Sequence, residues 1–200
     1  MNAEELLHRA RAGDAPAVGQ LLELYRAYLV MLARVQIGRR LQGKVDASDV
    51  VQEACLGACR DFPQFRGTTE KEFLAWLRQI LASLLANLVR HYQGTKRRDV
   101  RLERQLAIEL EQSSQALDRG LAAPQSSPSQ QAIRHEQSAV LAEALGRLPE
   151  DWRELLVLRH LEGLTFPEVA RRMGRTIDTV KKLWPRALAG LRRLLETETT

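Results

Sequence analysis

Leu, Val and Tyr recur at three- and four-residue steps through residues 3–11 and 14–36, which predicts two helices at the start of the chain. The same period continues over 47–62, where Asp46 and Ser48 offer a capping signal and Pro63 a stop. A longer pattern from about Glu70 to about Tyr92 places Phe73, Trp76, Leu77, Ile80, Leu81, Leu84 and Leu88 on one broad face. Gly94 interrupts it, and a charged helix is expected from Lys96 to about Glu111. Between 112 and 131 the pattern lapses: five Ser, five Gln and two Pro leave Leu117 and Leu121 as the large apolar residues. Such a stretch buries too little to offset its ordering entropy, so it reads as a flexible linker.

Periodicity returns over 133–146, with a second helix from Pro149 to Gly163, the latter a left-handed C-cap. Glu150 and Asp151 suit that helix start electrostatically. Thr165-Phe-Pro-Glu168 is a capping box opening a short helix that Gly174 ends, and Arg175-Thr176 starts a last helix to about Leu195. Short helix, Gly turn, helix is the helix-turn-helix pattern, with Phe166, Val169, Ala170, Ile177 and Val180 as its expected core. The fold class is therefore all-α: two small helical domains, 1–111 and 132–200, joined by the 112–131 linker. Pro185 lies within the last helix, where it removes a hydrogen bond and crowds the Lys181 carbonyl, so a kink is expected. Trp184 is expected to pack against the domain rather than reach outward.

Composition narrows the classes. Aromatics make up 5% of the 200 residues, which disfavours a β-sandwich. No stretch approaches eighteen consecutive apolar residues, and Glu4, Glu5, His8 and Arg9 break up any leader, so neither membrane insertion nor secretion is expected. The expected compartment is the cytoplasm, with Cys55 and Cys59 reduced and serving as small core fillers. His8, His91, His135 and His160 are scattered, and the chain carries no Gly-rich phosphate loop and no nucleophile motif. Neither an enzyme nor a metal or cofactor site is expected.

Charge changes the picture more. The formal net charge is +5, yet residues 171–193 carry eight Lys/Arg against Asp178 alone, and 90–104 carry six against two acids. The remainder of the chain is acidic, so the positive charge forms two stripes, suited to phosphate contact driven by counterion release. In a helix-turn-helix the N-terminal half of the second helix enters the major groove. The DNA-reading candidates there are Arg175, Thr176, Asp178, Thr179, Lys181, Lys182 and Arg186, with Thr176 also the cap. Lys and Arg read guanine edges; Thr serves phosphate or a thymine methyl.

Asp49-Val-Val-Gln-Glu53-Ala-Cys-Leu-Gly-Ala58, Phe73-Leu-Ala-Trp76-Leu-Arg, Leu148-Pro, Gly163-Leu-Thr-Phe-Pro-Glu-Val-Ala170 and Thr179-Val-Lys-Lys follow one another in order. Together they resemble bacterial RNA polymerase sigma factors of the extracytoplasmic-function type, over about residues 14 to 193. The resemblance implies a sigma domain two at 1–111 and a winged-helix-like, four-helix sigma domain four at 132–200. It implies that core RNA polymerase binds at Asp49, Gln52 and Glu53. These share a helix face, with Val50, Val51, Ala54 and Leu56 supplying others. Promoter minus-ten DNA would be met by the loop Pro63–Thr69 and by Trp76, Ser83, Asn87, Arg90, Arg97 and Arg98. The minus-thirty-five element would be read by the last helix. Ser83 replaces a commoner Asn, and Leu74 stands where a polar residue is usual. Promoter DNA and core polymerase are the implied partners, with an anti-sigma factor a further family habit.

Two promoter elements about 17 base pairs apart span about 60 Å. Twenty linker residues reach at most about 70 Å, with a coil average near 25 Å, so simultaneous contact is feasible. The competing reading is a helix-turn-helix regulator that binds DNA without polymerase.

Overall fold

A computed structural model describes residues 3–41, 44–93, 100–120 and 140–198. In chain order the helices are α1 (Ala3–Arg11), α2 (Ala15–Arg40), α3 (Ala47–Asp61), α4 (Glu70–Tyr92), α5 (Val100–Gly120), α6 (140–147), α7 (Glu150–Leu156), α8 (Phe166–Arg172) and α9 (Ile177–Glu198). No strand, and so no wing, occurs among the described residues; the all-α class holds.

The starts of α2, α3, α4 and α8 have a local cause. Asp14 accepts from the Ala17 amide at 3.2 Å and is gripped by Arg9 at 2.6 Å, opening α2. Asp46 accepts from the Ser48 amide at 2.7 Å and opens α3. A capping box absent from the sequence-based expectation opens α4: Glu72 accepts from the Thr68 and Thr69 amides while the Thr69 hydroxyl accepts from the Glu72 amide. Those amides pull the Glu72 carboxyl below its ordinary range. The expected box at Thr165 and Glu168 opens α8. Gly163 and Gly174 adopt φ of +70° and +62°, the left-handed turns that end the π turn after α7 and the short α8.

Helix α2 is the centre of the first five helices, buried along most of its length from Leu21 through Ile37, and α1, α3, α4 and α5 pack around it. Helix α4 is long and apolar enough to cross a membrane by length and composition alone. Its Phe73, Leu77, Leu81, Leu85 and Val89 are instead buried in this core.

One polar network runs through that core. Arg78 donates to the Tyr28 hydroxyl at 2.9 Å and pairs with Glu111 at 2.6 Å, while Tyr28 donates to Ser114 at 2.9 Å. Tyr25 bonds the buried Glu70 of the same helix α4. These bonds account for the main departure from the expected boundaries. Helix α5 does not stop at Glu111 but continues to Gly120, because Ser113 and Ser114 are buried against α2 and α4. Small hydroxyl side chains, read from composition as linker material, are here the residues that admit close approach and satisfy a buried guanidinium. Residues 121–131 of the expected linker lie outside the described residues.

The last four helices enclose Leu145, Leu148, Leu155, Leu156, Leu158, Val169, Val180 and Ala187. Helix α7 ends in a π turn, Val157–Leu161, that packs on α5 and α2. Just beyond it Glu162, its side chain 6% exposed, meets Arg39 at 3.4 Å. Arg40 makes a two-pronged pair with Glu109, both bonds 2.8 Å, and Arg172 donates to the Gly38 carbonyl at 2.6 Å. A cavity of about 680 Å³ lies beside these contacts, lined by Arg34, Arg39, Arg153 and Arg172 and by Asp46, Glu150, Glu154 and Glu162. Burial, and the neighbouring Asp151, raise the Glu154 carboxyl above its ordinary 4.5.

Tyr28→Phe should cost about 1–3 kcal/mol in urea denaturation, since it removes a buried partner from both Arg78 and Ser114. Glu154→Gln should have the opposite sign. A carboxyl whose folded pKa is raised binds more protons folded than unfolded, so its contribution to stability is lost as pH rises above 4.5. The amide variant should melt higher at pH 7, with the gain vanishing toward pH 4, as read by thermal denaturation across that range.

Candidate nucleic-acid and polymerase interfaces

The outer face of α3 presents Asp49, Gln52 and Glu53, all exposed, while Val50, Val51, Ala54 and Ala58 are buried against the core. Leu56 departs from the expectation that it supplies another face: it is 65% exposed. At about 100° per residue it falls between Gln52 and Glu53 on the helix surface, so an apolar side chain sits at the centre of the polar patch. That helical wheel was computable from sequence; the assumption that Leu belongs inside hid it. Cys59 follows one turn later and is also exposed, so it is not a core filler. Cys55 is half-buried, and burial pushes its thiol up, which fits the filler role.

A second surface begins where α3 ends. Phe62–Gln64 forms a 3₁₀ turn, and residues 65–69 lead into α4. Phe62, Phe65, Phe73 and Trp76 form one aromatic cluster, with Trp76 5.0 Å from Phe65 and 5.9 Å from Phe73 between ring centres. Trp76 is half-buried there, so this cluster fixes the loop's base. From Trp76, steps of seven, four and three residues bring Ser83, Asn87 and Arg90 to the same side of α4. Arg90 donates to the Asn87 side-chain carbonyl and to the Ala86 carbonyl at 3.3 Å. Exposed Tyr92 continues that end of the helix, and the Lys44 ammonium stands 5.9 Å over its ring. Leu74, expected as a departure affecting packing, is buried. Arg97 and Arg98 lie outside the described residues.

The third surface is α9. It runs as helix from Ile177 to Glu198 with Pro185 inside it, so the proline does not break it. Pro185 is exposed, which keeps its ring out of the packing. Thr176 accepts from the Thr179 amide at 3.2 Å and bonds the Thr179 hydroxyl at 2.8 Å, so these two side chains secure the helix start. Asp178, Lys181, Lys182 and Arg186 are exposed along one arc. Arg175 pairs with Asp151 of α7 at 2.9 Å. Trp184 stacks on His160 at 5.2 Å and meets Phe166 edge-on at 5.5 Å, packing as expected rather than facing out. Ile177 departs from the expected core: it is 40% exposed, whereas Val180 is fully buried. Exposed Arg171 of α8 adds a cation that the candidate set omitted.

No group of three or more His, Cys, Asp or Glu suited to a metal ion occurs among the described residues. The three surfaces are helix faces that present charge, amide and ring groups. They are suited to binding extended macromolecules.

Known proteins are similar in sequence to this chain. The chain is 32% identical over 193 residues to the ECF RNA polymerase sigma factor BldN of Streptomyces coelicolor, covering 96% of this chain and 65% of BldN. It is 30% identical to the ECF RNA polymerase sigma factor SigD of Mycobacterium tuberculosis, covering 94% of this chain and 82% of SigD. Among solved structures, CnrH in complex with the cytosolic domain of CnrY matches at 26% identity over 97% of both chains, with a TM-score of 0.36. The family model described as ECF sigma factor matches residues 1–197. With helix faces in this order and a match spanning nearly the whole chain, the protein belongs to the extracytoplasmic-function sigma factors of bacterial RNA polymerase.

Proposed function

We propose that this chain binds core RNA polymerase through the outer face of α3, opens promoter DNA with α4 and the loop before it, and reads the minus-thirty-five element with α9. The observation that carries this reading is the α3 face, where Asp49, Gln52 and Glu53 surround an exposed Leu56. Single exposed apolar residues are ordinary, and what favours a docking face here is the ring of Asp49, Gln52 and Glu53 around Leu56, since a desolvated apolar anchor inside a polar rim is how interfaces concentrate binding energy. A DNA-binding regulator that acts without polymerase needs no such face, and the family match spans both ends of the chain. The compartment of action is the one that holds polymerase and chromosome, the cytoplasm.

For promoter opening, Ser83 and Asn87 provide hydrogen-bonding groups on the outer side of α4, and the aromatic cluster braces the loop that precedes it. A base taken out of the stack costs a few kcal/mol and must be repaid by stacking and edge hydrogen bonds. Arg90, already oriented by Asn87, and Arg97 and Arg98 beyond the end of the helix, would hold the backbone phosphates. In the second unit, Lys181, Lys182 and Arg186 on α9 are exposed and have no ion-pair partner among the described residues, and Arg175 gains a DNA phosphate at the cost of an exposed pair with Asp151. An anti-sigma partner is proposed on family membership alone.

The experiment is reconstitution: purified chain with core polymerase should start transcription at a subset of promoters, located by sequencing transcript ends. DNA binding without core association would refute it. Leu56→Ala and Glu53→Lys should each weaken core binding about tenfold or more, measured by fluorescence anisotropy, with thermal stability little changed. Lys181→Ala with Lys182→Ala should leave core binding intact. It should weaken minus-thirty-five dependence and lower the salt slope of DNA binding by about 2.

A further inference from the structure

Ile177 has an exposure that packing does not explain. It opens α9 as the first helical residue, with 40% of its surface open, and it stands outside the set of side chains that pack on the core, where Leu183, Trp184 and Leu191 belong. On the helix surface it lies at the edge of the arc formed by Lys181, Asp178 and Lys182, one turn before Lys181. Thr176 and Thr179, the other side chains at this end suited to apolar contact, are turned to each other by their 2.8 Å hydroxyl bond. That leaves a branched aliphatic side chain as the free apolar group at the leading end of a helix whose neighbours are Asp, Lys and Lys.

Scattered apolar residues are ordinary on protein surfaces, but the leading turn of a groove-entering helix is where side chains reach base edges. The major groove displays one apolar feature, the C5 methyl of thymine, and aliphatic side chains read it by contact. Resting on the assignment of α9 to the minus-thirty-five element, we infer that Ile177 is a specificity-determining residue that reads a thymine methyl there. Its Cγ and Cδ atoms bury against the methyl group, and selectivity arises because every other base offers a polar edge or bare ring at that point. Lys181 and Lys182, by contrast, hold phosphate or guanine and do not sense the methyl.

Deoxyuridine differs from thymine by that methyl alone, so it is the probe. Holoenzyme made with the full chain is titrated with promoter duplexes in which each minus-thirty-five thymine in turn, on either strand, is replaced by deoxyuridine. At one position the wild type should bind the thymine duplex about fourfold more tightly, the worth of one buried methyl. Ile177→Ala should bring that ratio to one, while Ile177→Val, which keeps the branched methyls, should hold an intermediate ratio even if the alanine variant folds poorly. A wild type indifferent to every replacement, or a ratio that survives in both variants, would overturn the inference. Failure of the underlying assignment looks different: a scrambled minus-thirty-five element would then cost the wild type nothing, and Lys181→Ala with Lys182→Ala would have no effect on it.

Discussion

A buried guanidinium organises the first five helices. Arg78 is almost fully enclosed, and a charge in that position is tolerated only when its donors are satisfied. Tyr28 from α2 and Glu111 and Ser114 from α5 supply the partners, so three helices must converge at one register. The consequence reaches the surface. Arg78 and Trp76 are two residues apart, hence on nearly opposite sides of α4. Turning Arg78 inward therefore turns Ser83, Asn87 and Arg90 outward, and the outer side of α4 is set by a polar bond in the core.

The two surfaces most suited to specific contact share a design. On α3 and on α9, an apolar side chain is left uncovered among polar ones: Leu56 between Gln52 and Glu53, Ile177 beside Asp178 and Lys181. Charged neighbours guide approach and register, while the apolar atom supplies contact that water does not reward. Electrostatics alone would attract any polyanion, and the exposed cations of α9 suit that general attraction. Discrimination needs short-range shape, the role proposed above for the two exposed aliphatic groups.

The contact between the two groups of helices is of another kind. The largely buried Val157–Leu161 turn packs on α5 and α2, and beside it Arg39 pairs with the nearly buried Glu162 and Arg172 donates to the Gly38 carbonyl, around a cavity of mixed charge. The buried apolar side chains of both groups form one continuous cluster, so the ion pairs flank an apolar seam rather than replace it.

Periodicity and capping chemistry are local, so the sequence determined the order of helices, the capping box at Thr165, the left-handed turns at Gly163 and Gly174, and the charged stripes. It also carried the ordered motifs that mark the family. Three features were not legible. The length of α5 depended on Ser113 and Ser114 finding Tyr28 and Arg78, and composition cannot see a hydrogen bond made across 86 residues of chain. The exposure of Leu56, Cys59 and Ile177 depended on which neighbours happen to cover each helix, and a period shared by core and interface residues cannot tell the two apart. The meeting of Arg39 with Glu162 joined residues that only the folded chain brings near. Local rules act within a turn or two of helix; which face is covered, and by what, is decided by long-range packing, and that is where the functional surfaces are made.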